Sequence, residues 1–236
     1  MLDDISWKKI SIEGIVIVIS ILLAFAIEAY WQERQNRIEE RELIANLRQD
    51  LLENQQRIVD QITTLEIAMD SLSEFLSLEL NSSQQYQGEA NFERILSPIL
   101  RTYTNSGLVS GFLESTTNSG LLAQISSPGI RSAIAEIENR VVDLTIIADD
   151  IRTLTDQLLV ELGRTPDVLM RSRDIEGIIY FDGMGLELIN ELLSNSQLMA
   201  LSRAKLSRFG SYRTNFNGLQ RELQAAVDII NIELKS

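Results

Sequence analysis

The hydrophobic pattern changes character along this chain. From Gly14 to Ile27 every residue is apolar except Ser20, so a helix there is apolar on all sides rather than on one stripe. Beyond Trp31 the apolar positions thin to a single face. Ile44, Leu47, Leu51, Ile58, Ile62, Leu65, Met69, Leu72 and Leu76 recur at steps of three, four and seven, and no Pro or Gly interrupts the chain up to Leu80. That spacing predicts one continuous amphipathic helix. Asn54 falls within the stripe. A buried Asn fixes register in some coiled coils, but a polar gap on a wide apolar face is the commoner role.

Further on, Asn81–Asn91 reads as a polar turn region, and a short helix follows from Phe92, kinked or ended by Pro98. Gly and Ser break the stretch from Thr104 to Ile130 into short helices. Ser127 then offers a cap, Pro128 suits a first helical position, and a long helix runs from Gly129 to about Leu162 with Gly163 as its stop. Arg164–Gly185 is the least regular part, and "GIIYFDG" within it reads as a short extended piece. Met184–Leu193 resumes a helix. "SNSQ" (Ser194–Gln197) offers another cap, and Gln197–Leu234 forms a last long helix with Gly210 and Gly218 as weak points. No repeat of 20–50 residues is visible. The expected fold is all-α: one N-terminal transmembrane helix continuing into a long helix, with an antiparallel helical bundle. The expected parts are a short polar tail (1–9), the transmembrane helix (10–30), a long juxtamembrane helix (31–80) and the remainder of the bundle (81–236).

The membrane expectation rests on length and flanks. Gly14–Ile27 as helix covers about 21 Å, short of the roughly 30 Å hydrocarbon core. Adding Ile10–Glu13 and Glu28–Tyr30 completes a span. Trp7, Lys8 and Lys9 precede it, and Tyr30 and Trp31 follow it, as interface anchors do. A cleaved signal peptide is the rival, with Lys8 and Lys9 as its basic start and Ala24–Ala26 ("AFA") imitating a cleavage box. That box lies inside the apolar run, and the helical pattern continues past it without a turn, which favours the anchor. With the juxtamembrane helix joined on, the rod is about 70 residues and about 100 Å long. Counting Lys and Arg alone slightly favours the C-terminal side as cytoplasmic. The basic pair placed directly at the boundary of a short tail argues the other way. The orientation taken here is N-terminus in, with the bundle periplasmic.

Composition narrows the chemistry. The 236 residues hold 34 Asp+Glu against 21 Lys+Arg, a formal charge of -13, and no basic stripe, so a nucleic-acid partner is not expected. With no Cys and no His, thiolate sites, the commonest general base and the commonest transition-metal ligand are missing. The acid pairs Glu39–Glu40, Asp149–Asp150 and Asp174–Glu176 sit in helical charge patterns and read as solvated faces. "DGMG" (Asp182–Gly185) lacks the Walker and Rossmann spacings, and "FDG" lacks the EF-hand ligand series. A Ser–Lys dyad would need Lys205 or Lys235, and nothing in the pattern argues for one. No catalytic residue, metal or cofactor is expected.

The stretch "WKKISIEGIVIVISILLAFAIEAYWQER", followed by "LRQDLLEN", resembles an uncharacterised family of bacterial single-pass membrane proteins. These open with a Gly/Glu-led apolar helix ending in Trp, then an acidic-basic helix. "SGLLAQISSPGIRSAIAEIE" is similar to the family's second block. The resemblance implies a bacterial inner-membrane anchor and a helical domain, and it brings no activity. Within the anchor, Glu13, Ile17, Ser20, Ala24 and Glu28 fall on one stripe of about 80° and form the expected helix-packing face. The expected partners are the lipid bilayer and either further copies of the chain or other membrane subunits. A structural or interaction subunit is the first expectation, a membrane-tethered sensor the second, and a channel-like oligomer lined by the Ser20 face the third.

Overall fold

The computed structural model describes residues 7–79, 92–100, 120–165, 168, 172–175, 178–181 and 185–235; at 7–12, 92–94 and the two strands the backbone alone is described. The turn region at 81–91, most of the Gly/Ser-rich stretch, Glu176 and Asp182–Met184 therefore lie outside the described residues.

Helix dominates. α1 runs Trp7–Ser77, 71 residues without a break, which is about 107 Å of helix. It begins before the expected Ile10 and carries the apolar run and the amphipathic stripe on one axis. Nothing in the sequence stops it: Gly14 is its one glycine, and the hydroxyls of Ser20, Thr63, Ser71 and Ser73 donate back to carbonyls four residues earlier. α2 (Phe92–Ile99) contains Pro98 and ends one residue later. A 3₁₀ turn (Leu121–Gln124) leads to α3 (Pro128–Leu162). β1 (Ser172–Ile175) and β2 (Ile178–Phe181) pair antiparallel with Ser172 opposite Phe181, then come α4 (Leu186–Ser194) and α5 (Ser196–Glu233). This hairpin is the departure from a wholly helical chain. The expected extended piece supplies β2, and its partner β1 had no signal of its own.

The helix ends differ from expectation in instructive ways. Ser127 occupies the N-cap of α3, but its side chain makes no capping bond. Instead the Glu40 carboxylate on α1 accepts from Ser126 N–H at 2.5 Å and Ser126 Oγ at 2.6 Å. Gly163 ends α3 with right-handed φ −65°, ψ −16°, so its conformational freedom is not used. The stop is a tightened last turn, in which Gly163, Arg164 and Thr165 N–H groups donate to Leu159, Glu161 and Leu162 carbonyls. Asn195 caps α5 as its residue type suggests, accepting from Leu198 N–H at 3.0 Å.

Side-chain pairs fix how the long helices lie. Along α1 and α5, Arg48 Nε donates to Asn231 Oδ1, Gln55 Nε2 to Gln224 Oε1, and Arg203 pairs with Glu79 just past α1. Along α3 and α5, the partners are Arg140 with Glu222, Asp150 with Arg208 and Glu161 with Asn195. Numbers fall on α5 as they rise on the other two, so α5 runs opposite to both. Packing begins only at Leu43 and Ile44. Leu47, Leu51, Ile58, Leu65 and Leu72 then lie fully buried, and Ile62, Met69 and Leu76 lie half-buried at the core edge. From α5, Phe209, Tyr212, Phe216 and Leu219 fill the same core, with Tyr212 and Phe216 in an edge-to-face contact at 4.5 Å.

Asn54, expected as a polar gap on a wide apolar face, is buried. Its Nδ2 reaches Asp50 Oδ2 at 3.5 Å, and its Oδ1 finds no donor among the described residues. Gly210 and Gly218 do not interrupt α5. A Cβ at Gly218 would lie 3.2 Å from Arg140 Nε, so the glycine makes room for the guanidinium that bridges to Glu222.

Candidate functional site

Two regions outside the core and one within it hold candidate chemistry. The first is the free end of α1. Residues 13–39 are exposed on every side, a length of about 40 Å. Ten large apolar side chains from Ile15 to Ile27 each leave 49–63 % of their surface uncovered. At 1.5–3 kcal/mol apiece, keeping them in water costs on the order of 15–30 kcal/mol. That exceeds the 5–15 kcal/mol by which a whole domain is stable. None of it is covered among the described residues. This is the one helix among the described residues long and apolar enough to cross a membrane. Because apolar groups ring the helix, a one-sided protein groove would leave much of it wet.

The expected stripe residues Glu13, Ile17, Ser20, Ala24 and Glu28 all lie on this bare segment, each exposed. The Ser20 hydroxyl is already satisfied, donating to Val16 O at 2.8 Å. Tyr30 and Trp31 follow at 64 % and 65 % exposure. Trp7, Lys8 and Lys9 belong to the first turns of α1, and their side chains lie outside the described residues.

The second region is a wedge where the bare stalk meets the foot of the bundle. It is an open cavity of about 1050 Å³ between Glu33–Ile44 of α1 on one side and Gln124, Ser126, Glu233 and Leu234 on the other. The opposite course of α5 creates it, by bringing the end of that helix and the start of α3 down beside the stalk. Its carboxylates are engaged. Glu33 pairs with Arg37, Glu39 accepts from Gln35 Nε2 at 2.9 Å, Glu40 holds Ser126, and Glu233 has a partner. Arg34 and Arg41, in contrast, make no hydrogen bond or ion pair among the described residues. The pair Glu39–Glu40 is thus split between a solvated face and a structural tie. Asp149 likewise pairs with Arg152 at 3.0 Å, and Asp150 with Arg208 at 3.3 Å.

The third region lies within the core. Lys205 on α5 has no exposed surface. Its ammonium donates to Ile99 O at the end of α2 and to Thr155 Oγ1 on α3 at 2.6 Å, and sits 5.4 Å from the Phe209 ring centre. Burial pushes its pKa down to about 7, against the opposing pull of the Asp156 carboxylate. Ser202, one turn earlier, is also fully buried, and its hydroxyl finds no partner among the described residues. The two are not hydrogen-bonded to each other, and Lys205 has no open path to a substrate, so they do not form a nucleophile–base pair. Sequence reasoning named this lysine only as a dyad candidate and missed its burial. Its signal was register: Leu198, Ser202, Lys205, Phe209, Tyr212 and Phe216 step by three and four along one face.

Among the described residues no group of three or more acidic side chains converges to hold a metal ion. Gly185 of the "DGMG" stretch is the N-cap of α4 and makes no side-chain capping bond. Comparison with family models, with curated proteins and with solved structures finds no match to this chain.

Proposed function

We propose that the chain is a single-pass membrane anchor bearing a helical interaction domain, a structural subunit that assembles with its own copies or with a larger membrane complex. The observation that carries this reading is the 13–39 segment of α1. It is apolar all round where a bilayer would hold it, and it enters the bundle without a break. Tyr30 and Trp31 fit the outer edge of such a span. In this reading the span is Ile10–Tyr30, the membrane is the bacterial inner membrane, the bundle is periplasmic and antiparallel, and no reaction is catalysed.

Assembly is assigned to Glu13, Ile17, Ser20, Ala24 and Glu28. Ser20 and Ala24 are small enough for a second helix to approach closely, and an ionised Glu within a span costs less when it faces a partner than when it faces lipid. Carbonate extraction tests the anchor: the chain stays with the membrane fraction, and its release ends the reading. Native mass spectrometry in mild detergent tests the face. Glu13→Leu and Ser20→Leu weaken the assembly while Leu22→Ala does not; equal assembly of all three overturns the assignment.

A tethered sensor is the second reading. One feature favours it: a helix continuous from bilayer to core transmits rotation or tilt to α5. A ligand-dependent change in the spacing of spin labels at Gln35 and Arg213 would support it.

A further inference from the structure

We propose that α1 pairs in parallel with α1 of a second copy of this chain, along a seven-residue seam that leaves the span and continues up the bare stalk. Ile17, Ala24, Trp31, Ile38 and Ala45 form one line of that seam, and Glu13, Ser20, Ile27, Arg34 and Arg41 form the other. The proposal rests on the membrane-anchor reading and names the partner which that reading leaves open.

Periodicity comes first. Between Trp31 and Leu43 the stalk has a single apolar residue, Ile38, seven places from Trp31 and seven from Ala45. All three are exposed, Ile38 at 45 %, so packing within the bundle does not explain the interval. Seven-residue spacing is what two supercoiled helices need. A straight helix drifts about 20° per heptad, and a left-handed supercoil absorbs that drift. The seam takes in Glu13, Ile17, Ser20 and Ala24 of the assembly stripe and carries it out of the bilayer.

The rest of the fold leaves room for a second helix. At roughly 100° per residue, Ile38 lies about 170° around α1 from the mean direction of Leu43, Ile44 and Leu47, which enter the core. Glu40, tied to Ser126, is on the core side as well. The second helix therefore approaches from the side away from the bundle. Beyond Ala45 the seam closes, because Arg48 is taken by Asn231 of α5. Both copies insert into the bilayer with one topology, which makes the pair parallel.

Charge gives the pairing its register. Arg41 and Glu42 are adjacent, so on one helix they point about 100° apart and do not face each other. Neither has a hydrogen bond or ion pair among the described residues, although Glu33–Arg37 and Gln35–Glu39 do pair within the helix. In a parallel two-stranded coil the second line of the seam packs beside the residue that follows it on the other strand. Arg41 then meets Glu42 of the second copy, twice by symmetry. Arg34 likewise meets Gln35, whose side-chain carbonyl oxygen accepts. Polar residues within such a seam cost stability and specify register.

The chain has no cysteine, so each introduced thiol is the sole one. The test places single cysteines along the stalk of the full chain, oxidises the membranes and reads dimer on non-reducing gels. A disulfide needs Cα atoms within about 7 Å, which only seam positions provide. Cross-linking is expected at Trp31→Cys, Arg34→Cys, Ile38→Cys and Arg41→Cys, and to fall to background at Gln32→Cys, Asn36→Cys, Glu39→Cys and Glu40→Cys. Glu42→Arg sets like charges together and should raise the dimer dissociation constant about tenfold in mild detergent. Adding Arg41→Glu reverses both charges and restores the dimer, a recovery that loss of structure would not show. Glu39→Arg makes the same charge change away from the seam and leaves the dimer as it was. Cross-linking without a period of about 3.5 residues, an unaffected Glu42→Arg, no recovery in the double variant, or a complex holding one copy with a different subunit overturns the proposal. Carbonate extraction separates it from the anchor reading. A chain retained in the membrane without periodic cross-links sinks the seam alone, and a chain released sinks the anchor.

Discussion

Lys205 makes a prediction whose size follows from its burial. The unfolded lysine titrates near 10.5 and the folded one near 7, so folding discriminates against the charged form by about 5 kcal/mol. The sign follows from proton counts. Below pH 7 both states carry the proton and the full cost of burying the charge is present. Between about pH 7 and 10.5 the unfolded state still binds the proton and the folded state does not, so stability rises with pH. From pH 6 to pH 9 this one side chain adds about 3 kcal/mol. Lys205→Met keeps the stem and removes the titration. It also strands Ile99 O, at about 1–3 kcal/mol, while the Thr155 hydroxyl keeps its bond to Ile151 O, so part of the relief at pH 6 is offset. The slope is therefore the diagnostic.

Urea unfolding of the full chain in mild detergent, followed by far-UV circular dichroism, measures it at pH 6, 7.5 and 9. Subtracting the variant from the parent cancels every other titrating group. The parent should gain about 3 kcal/mol on the variant across that range. Lys205→Arg, which stays charged throughout, should share the flat profile and be the least stable of the three at pH 9. Parallel slopes for parent and Lys205→Met would show that the ammonium is solvated, and the account of its burial would be wrong.

Four further outcomes follow from the packing. Gly210→Ala, with nothing within 4 Å of the new Cβ, should raise Tm through helix propensity worth about 1 kcal/mol, whereas Gly218→Leu should lower it by displacing Arg140 from Glu222, at about 1–3 kcal/mol. Glu40→Ala removes both hydrogen bonds to Ser126 and should cost about 2 kcal/mol, with protease cleavage appearing first at the 120–127 connection; cleavage unchanged there would refute the tie. Asn54→Leu replaces a buried carbonyl oxygen that has no donor among the described residues and should raise the urea midpoint, with a drop in the midpoint arguing for an essential polar contact.

What the sequence shows and what it hides divide by the range over which each feature is encoded. The apolar run and the stripe from Ile44 to Leu76 are periodic, so composition within one helix suffices to place them. Asn54 read as a polar gap because polarity was weighed above position, yet its register between Leu51 and Ile58 already put it inside. Lys205 fails the same way for a deeper reason. A lysine survives on a core face only where other elements supply acceptors, and here those are Ile99 and Thr155, 106 and 50 residues away. The wedge is still less local. Arg34 and Arg41 stand in a run of alternating charge that reads as an ordinary solvated face. They line one cavity with Glu233 and Leu234 only because α5 returns along α1. The hairpin shows the intermediate case: "IIYF" declares a strand, while "SRDI" becomes one only by pairing with it. Burial of charge and the juxtaposition of distant segments are thus the properties that a single chain's pattern leaves open, and Lys205 is the group whose variants test most directly how this bundle is held together.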